Sequence, residues 1–355
     1  MITYQDYEKA QDKTKWIQSA ITKYRGSSEY QRAIMEQEYM AGRNTEIMNT
    51  RQLIYDMRGI PTTNFTAANF KIRNRLIHRL VTDRCSYSLG NGISFTHKEQ
   101  ETQEDGTTVT VDATKEKLGD NFDQAVYQWA YWAQSNGAAY LYAHIGHDRD
   151  EWQYTVFRKT EFLPLYDERT GALRGGIRFW SIEWGKRPIN AVLYTETGYT
   201  RYETPEKRNS LSSLEMVEEE RPYVETVNIS DAYGEEITGE EPLPMLPIFP
   251  LYSGENRDSS LDNLKPLVDA YDMILSGFAN DLKDCAQVYW LISGGLGMSE
   301  GDKRQLLDRL ILQHMAVVDG ENSSITPYTQ DIPYNAREAA LKQIRNQMYE
   351  NFGGF

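Results

Sequence analysis

The sequence predicts an α+β fold laid out in three successive zones, and the changing hydrophobic period carries that reading. Over the first 137 residues apolar positions recur at helical spacing, and residues 138–251 switch to a period of two. The chain then returns to helical spacing on both sides of a short strand-rich insert. A length of 355 residues fits two or three structural units, and 40% hydrophobic and 12% aromatic residues suffice for a buried core.

The first zone reads as helices. Tyr4 to Lys23 and Glu29 to Ala41 are polar-rich with spaced apolar residues, and Gly42 is placed to end the second of them. A third helical pattern starts near Ala67, with Phe70, Ile72, Leu76, Ile77, Leu80 and Val81 as its apolar members. Its other face carries Lys71, Arg73, Arg75, Arg79 and Arg84, and reads as a solvated or subunit-contacting surface, with phosphate contact as the rival. Ile93–His97 and Thr107–Val111 are expected to form a hairpin turning at Asp105-Gly106. Phe122, Val126, Trp129 and Ala133 then mark a helix that Asn136-Gly137 ends.

In the middle zone, AAYLYAHI, WQYTVF, IRFWSIEW, AVLYTET and YTRYET alternate with turn residues, the pattern of antiparallel hairpins. Glu218-Glu219-Glu220, Glu235-Glu236 and Glu240-Glu241 precede PLPMLPIFPL, and this acidic, Pro-studded stretch is expected to be surface loops and a linker. Beyond Gly254, Leu267, Tyr271, Ile274, Phe278, Leu282 and Cys285 form the seam of a long amphipathic helix, with Pro266 tolerable near its start or at a kink. A small α/β unit follows: VYWLISG as a strand, Glu300 to His314 as a helix, and MAVVDG and SITPYT as strands. Asn335 caps a last helix over Ala336 to Phe352, whose Leu341, Ile344, Met348 and Phe352 share a face.

The chemical motifs exclude more than they support. Net charge is −14, so a protein of this kind does not hold nucleic acid through a broad basic face. The N-terminus has no apolar signal region, no run is long and apolar enough to cross a membrane, and two cysteines 200 positions apart fit a reducing compartment. His144-Ile145-Gly146-His147 spells the ATP-site motif of class I aminoacyl-tRNA synthetases, but it ends a strand and runs into a turn instead of opening a helix. Residues three apart on a strand face opposite sides, which also speaks against metal binding by His144, His147 and Asp148. No G-x-x-x-x-G-K-[ST], H-E-x-x-H or C-x-x-C occurs, so neither enzyme activity nor a cofactor is expected.

Across the long helix the sequence LPIFPLYSGENRDSSLDNLKPLVDAYDMILSGFANDLKD resembles the most recurrent segment of SPP1-type bacteriophage portal proteins. The matching residues are Pro247 to Leu251, Leu264-Lys265-Pro266-Leu267, Asp269-Ala270-Tyr271-Asp272, Ser276 and Asn280-Asp281-Leu282. Upstream, Tyr39-Met40-Ala41-Gly42, Asn69 with Lys71-Ile72, Gly90-Asn91 and Asn136 to Tyr140 fall in the expected order. The resemblance implies a wing over residues 1–253, helical over 1–137 and β-rich over 138–253. It implies a first stem helix within 254–287, an α/β clip over 288–333 and a second stem helix within 334–355. Such chains continue into a tunnel loop, a further long helix and a crown, which are missing from this sequence.

The function so implied is structural: a ring of twelve subunits at one capsid vertex of the virion, through which double-stranded DNA is packaged and ejected without sequence specificity. The implied partners are the terminase large subunit, the head-tail adaptor, and the major capsid and scaffolding proteins; no membrane is involved. Leu267, Tyr271, Ile274, Phe278 and Leu282 are expected to pack the stem. Lys342, Arg345 and Tyr349 are the candidates to face the DNA channel, with pairing of Arg345 to Asp281 or Asp284 as the alternative. Asp302, Lys303, Arg304 and Asp308 are the candidates to face terminase on the clip, or to pack clip against clip. The competing readings are another phage head or connector protein, and a nucleotidyltransferase-like enzyme using His144 and His147.

Overall fold

The computed structural model describes residues 2–55, 58–64, 67–95, 99–102, 108–111, 115, 117–145, 151–184, 186–205, 210–230, 234–241, 243, 245–284, 289–293, 299–302, 304–305, 324–328 and 333–353. Its main helices are α1 (Tyr4–Lys9), α2 (Lys13–Arg25), α3 (Ser28–Met40), α4 (Thr45–Asn49), α5 (Leu76–Leu89), α6 (Phe122–Asn136), α7 (Ser260–Asp284) and α8 (Tyr334–Phe352). Two short ribbons, β1 (Leu53–Tyr55) with β2 (Pro61–Thr63) and β3 (Glu99–Thr102) with β4 (Thr108–Val111), precede the β-rich zone. That zone holds β5 (Ala138–Ile145), β6 (Trp152–Arg158), β7 (Phe162–Tyr166), β8 (Leu173–Trp180), β9 (Asn190–Tyr194), β10 (Tyr199–Glu203) and β11 (Glu215–Arg221). It continues through β12 (Val224–Ser230), β13 (Gly234–Glu241) and β14 (Ile248–Tyr252), and β15 (Tyr289–Ser293) pairs antiparallel with β16 (Ser324–Tyr328) further on.

The chain forms two compact units, one of Met1–Thr45, Asn74–Pro266 and Tyr349–Phe355, the other of Glu46–Arg73 and Leu267–Met348. The core of the first unit is a layered arrangement around a five-stranded antiparallel sheet in the order β11-β10-β9-β8-β7. Strand β9 shows why it is buried on both faces: Ala191 and Leu193 pack with Ile17, Ile21 and Tyr24 of α2, while Val192 and Tyr194 pack with Tyr140, Phe157 and Ile248 of the second sheet. That second sheet runs β14-β5-β6, and α6 is tied to it by the Trp129 indole N–H donating to the Ala139 carbonyl at 3.1 Å. Gly137 ends α6 with φ at 76°, and a Cβ there would stand 2.1 Å from the Arg257 carbonyl oxygen, so only glycine fits.

Several local expectations are corrected. Tyr4 to Lys23 is two helices, because Asp12 turns its side chain onto the Lys15 amide at 3.0 Å and starts α2 afresh. The third helix begins at Leu76 and not near Ala67, since Asn74 Oδ1 takes the Leu76 amide and residues 70–72 belong to no helix or strand. The first strand of the early hairpin is Glu99–Thr102, displaced from the expected 93–97. The acidic stretch is not loops: β11 joins the five-stranded sheet and β12 pairs with β13. PLPMLPIFPL supplies β14, an edge strand, where Pro250 costs no ladder bond on the outer side. Residues 300–302 and 304–305 are helical as expected, while the rest of the 300–314 helix and MAVVDG lie outside the described residues.

Within the first unit, Glu36 is only 2% exposed and its carboxylate accepts from Asn136 Nδ2 at 3.0 Å. Burial raises its pKa against the lowering effect of the hydrogen bond from Asn136. A raised folded pKa means stability that is fully present below the unfolded pKa, about 4.3, and is lost as pH rises through the folded value. Glu36→Gln removes this component, so the urea midpoint of the variant gains on the parent as pH is raised from 4 to 7. Parallel curves for the two proteins would show that Glu36 does not carry the charge-burial cost.

Candidate functional site

The long helix α7 has two faces, and they are used differently. The expected seam of Leu267, Tyr271, Ile274 and Phe278 is only half buried, and Leu282 is 54% exposed. The buried face is the neighbouring row at spacing four: Leu264, Val268, Asp272, Ser276 and Asn280. Leu264 belongs to the first unit and the last four to the second, and the final three are polar.

Two of those polar side chains, Ser276 and Asn280, bind backbone. Ser276 Oγ accepts from the Ile72 amide at 2.9 Å and donates back to the Ile72 carbonyl at 3.3 Å. Asn280 Oδ1 accepts from the Phe70 amide at 2.5 Å. The segment they hold runs antiparallel along the helix, with residue 72 at Ser276 and residue 70 one turn further on. Side chains of α7 thus do the work of a partner strand for amides that no sheet satisfies. Lys283 adds a cation 5.2 Å from the centroid of the Phe70 ring. This is why Glu46–Arg73 belongs with Leu267–Met348, although the sequence places it among the first 253 residues.

At the far end of α7 in the same unit, Asp281 pairs with Arg337 of α8. The Phe278 and Tyr334 rings lie 5.7 Å apart, and the Arg337 guanidinium stands 5.9 Å from the Phe278 centroid. Arg337, near the start of α8, therefore takes the carboxylate weighed for Arg345; the Asp284 side chain lies outside the described residues. On α8, Leu341 and Ile344 are half buried and Met348 and Phe352 buried, the expected face. Lys342 and Arg345 are exposed and Tyr349 half buried. In the first unit, Arg84 donates to the Phe352 carbonyl at 3.5 Å and stands 5.1 Å from its ring.

The other sequence candidates are scattered. Asp302 is drawn into a capping box with Ser299, accepting from its amide at 3.0 Å and its hydroxyl at 2.7 Å, which lowers the carboxyl pKa. Arg304 is exposed, whereas Lys303 and Asp308 lie outside the described residues. His144 ends β5, with Nε2 3.2 Å from Thr155 Oγ1 and its ring stacked on Tyr142, and burial lowers its pKa. His147 and Asp148 lie outside the described residues. Among the described residues no group of three or more His, Cys, Asp or Glu is placed to hold a metal, and no helix is long and apolar enough to cross a membrane. Burial raises the Cys85 thiol to about 11, which makes it a poor nucleophile, and Cys285 lies outside the described residues.

The family described as phage portal protein, SPP1 Gp6-like, matches residues 20–352 of this chain. The chain belongs to that portal family. The portal protein of Bacillus phage SPP1 is 20% identical over 309 residues, covering 86% of this chain and 57% of its own length. That of Clostridium phage phiCD119 is 24% identical over 338 residues, covering 88% of this chain and 69% of its own. The chain therefore spans little more than half the length of the SPP1 relative. Among solved structures, a chain from the virion of a native gene transfer agent particle aligns over 88% of this chain and 75% of its own, at 10% identity and a TM-score of 0.38. A chain from the neck of an empty particle of that kind covers 78% and 65%, at 12% identity and 0.37. These scores are too low to bear on the fold, which rests on the family match and on the α+β architecture itself.

In this portal-family chain the polar row of α7 coincides with the letters that carry the resemblance, Asp272, Ser276 and Asn280, and the last two hold the Ile72 and Phe70 amides. Ser276→Ala or Asn280→Ala removes the side-chain acceptor of a part-buried backbone amide and costs about 0.5–1.5 kcal/mol each. Urea unfolding reads the loss, and amide exchange at Ile72 or Phe70 accelerates selectively. Unchanged protection at both amides would mean that the segment is held by other contacts.

Proposed function

We propose that this chain is the subunit of a ring of twelve at the portal vertex of a capsid, the conduit for packaging and ejecting double-stranded DNA. The family match over residues 20–352 carries this reading. In it, residues 1–253 form the wing, 254–287 and 334–355 the two stem helices, and 288–333 the clip, with Glu46–Arg73 attached to the stem helices. The clip, with Asp302, Lys303, Arg304 and Asp308, is the docking surface for the terminase large subunit and the head-tail adaptor. The wing meets the major capsid and scaffolding proteins. The ring acts without catalysis of its own, and the energy of packaging comes from terminase.

The half-buried seam of α7 supports assembly, because Leu267, Tyr271, Ile274 and Phe278 retain apolar surface in the single chain. The exposed Lys342 and Arg345 support the channel assignment: repeated around a ring, each becomes a belt that meets phosphates without reading bases. Net charge of −14 fits a sliding contact, since every phosphate neutralised adds affinity that would slow passage. Negative-stain images of the chain should show rings with a central hole. Lys342→Ala and Arg345→Ala, tested separately, should keep the rings and lower DNA packaging per particle. If both variants melt the ring and packaging in surviving particles is unchanged, these residues are structural and the channel lies elsewhere.

A further inference from the structure

The chain segregates its charge along its length. Between Arg51 and Arg84 seven Lys and Arg stand against Asp56 and Asp83, and between Glu215 and Glu241 ten acids stand against Arg221 alone. Each stretch presents an exposed β-element with an uncovered apolar centre. In the β1–β2 ribbon, Leu53, Ile54 and Tyr55 are exposed in succession, Tyr55 at 67%, between the exposed Arg51 and Arg58. A two-stranded ribbon is marginal in water by itself, and three consecutive exposed apolar residues are the mark of a surface that gets covered. In β11, the outer strand of the five-stranded sheet, Met216 and Val217 are exposed, Val217 at 60%, between the exposed Glu215 and Glu219. The register of β11 on β10 slips twice between Tyr199 and Tyr202, so this edge does not offer a regular ladder to an incoming strand.

We infer that the β1–β2 ribbon docks by its side chains on β11 of a second copy of this chain. Leu53 and Tyr55, which share one face of the ribbon, cover Met216 and Val217, and Arg51 and Arg58 face Glu215 and Glu219. The charge signs match, the apolar centres match, and the two surfaces are different patches, as a head-to-tail contact that closes into a ring requires. DNA is the weaker partner for the ribbon: phosphates would engage Arg51 and Arg58 but leave the three apolar residues uncovered. The inference rests on the proposed ring and names one of its contacts.

The test is a charge swap in the full chain, read as assembled mass by sedimentation velocity at micromolar concentration and low salt. Arg51→Glu with Arg58→Glu, and separately Glu215→Lys with Glu219→Lys, should each weaken assembly by about threefold to tenfold, with unchanged circular dichroism. All four substitutions together should restore it, which a merely local destabilisation would not. Assembly unmoved by either reversed pair overturns this contact while leaving the ring intact, and loss without rescue overturns it as well. Assembly unmoved together with lower retention of duplex DNA by the Arg51→Glu, Arg58→Glu protein assigns the ribbon to nucleic acid instead. A parent chain that sediments only as monomer overturns the ring and this contact with it.

Discussion

The amides of Phe70 and Ile72 must find acceptors, and the second unit is organised around where they find them. Their segment has no strand beside it, so α7 turns a polar row, Ser276 and Asn280, onto its backbone. That choice commits the buried side of the helix to hydrogen bonding and leaves the apolar seam of Leu267, Tyr271, Ile274 and Phe278 on a half-open flank. From Tyr271 to Asn280 the buried row is polar and the apolar row only half buried, which inverts the usual amphipathic order over that stretch. The inversion makes sense if the apolar row belongs to contacts that a single chain does not contain.

Much of this architecture was legible from periodicity alone. The switch from helical spacing to alternation at Ala138 is where α6 gives way to β5, and the row Leu341, Ile344, Met348 and Phe352 faces inward as its spacing says. What escaped has identifiable causes. Hydrophobicity selects the α7 seam and cannot see that Ser276 and Asn280 are buried, because their partners are backbone groups some 200 residues away in sequence. Phe70 and Ile72 fit a helical pattern by spacing, yet tertiary hydrogen bonds hold them outside any helix. Strand β11 leaves no strand signal in the sequence, because an edge strand in water needs no alternation and its four glutamates look like loop composition.

The partner of Asp281 illustrates a different limit. Both Arg337 and Arg345 lie on α8 and either has the chemistry to pair, so helix spacing cannot choose between them. The choice depends on how far along α7 the antiparallel helix begins, which the length of the intervening segment does not fix. With Arg337 beside Phe278 and Tyr334, that pair works as a clasp where the two helices meet, and Arg345 sits two turns further along α8.

Pro266 has a mechanical consequence. As the seventh residue of α7 it brings no amide, so the Asp262 carbonyl lacks its helical donor, and the division between the two units falls immediately after it. An α-helix resists bending through its ladder of backbone bonds, and a missing rung lowers that stiffness at one level only. Under axial force α7 therefore has a built-in compliant joint at its second turn, while the stretch from Leu267 to Asp284 stays stiff. Strain delivered to the helix would be absorbed at that joint before it reached the Ser276 and Asn280 ties.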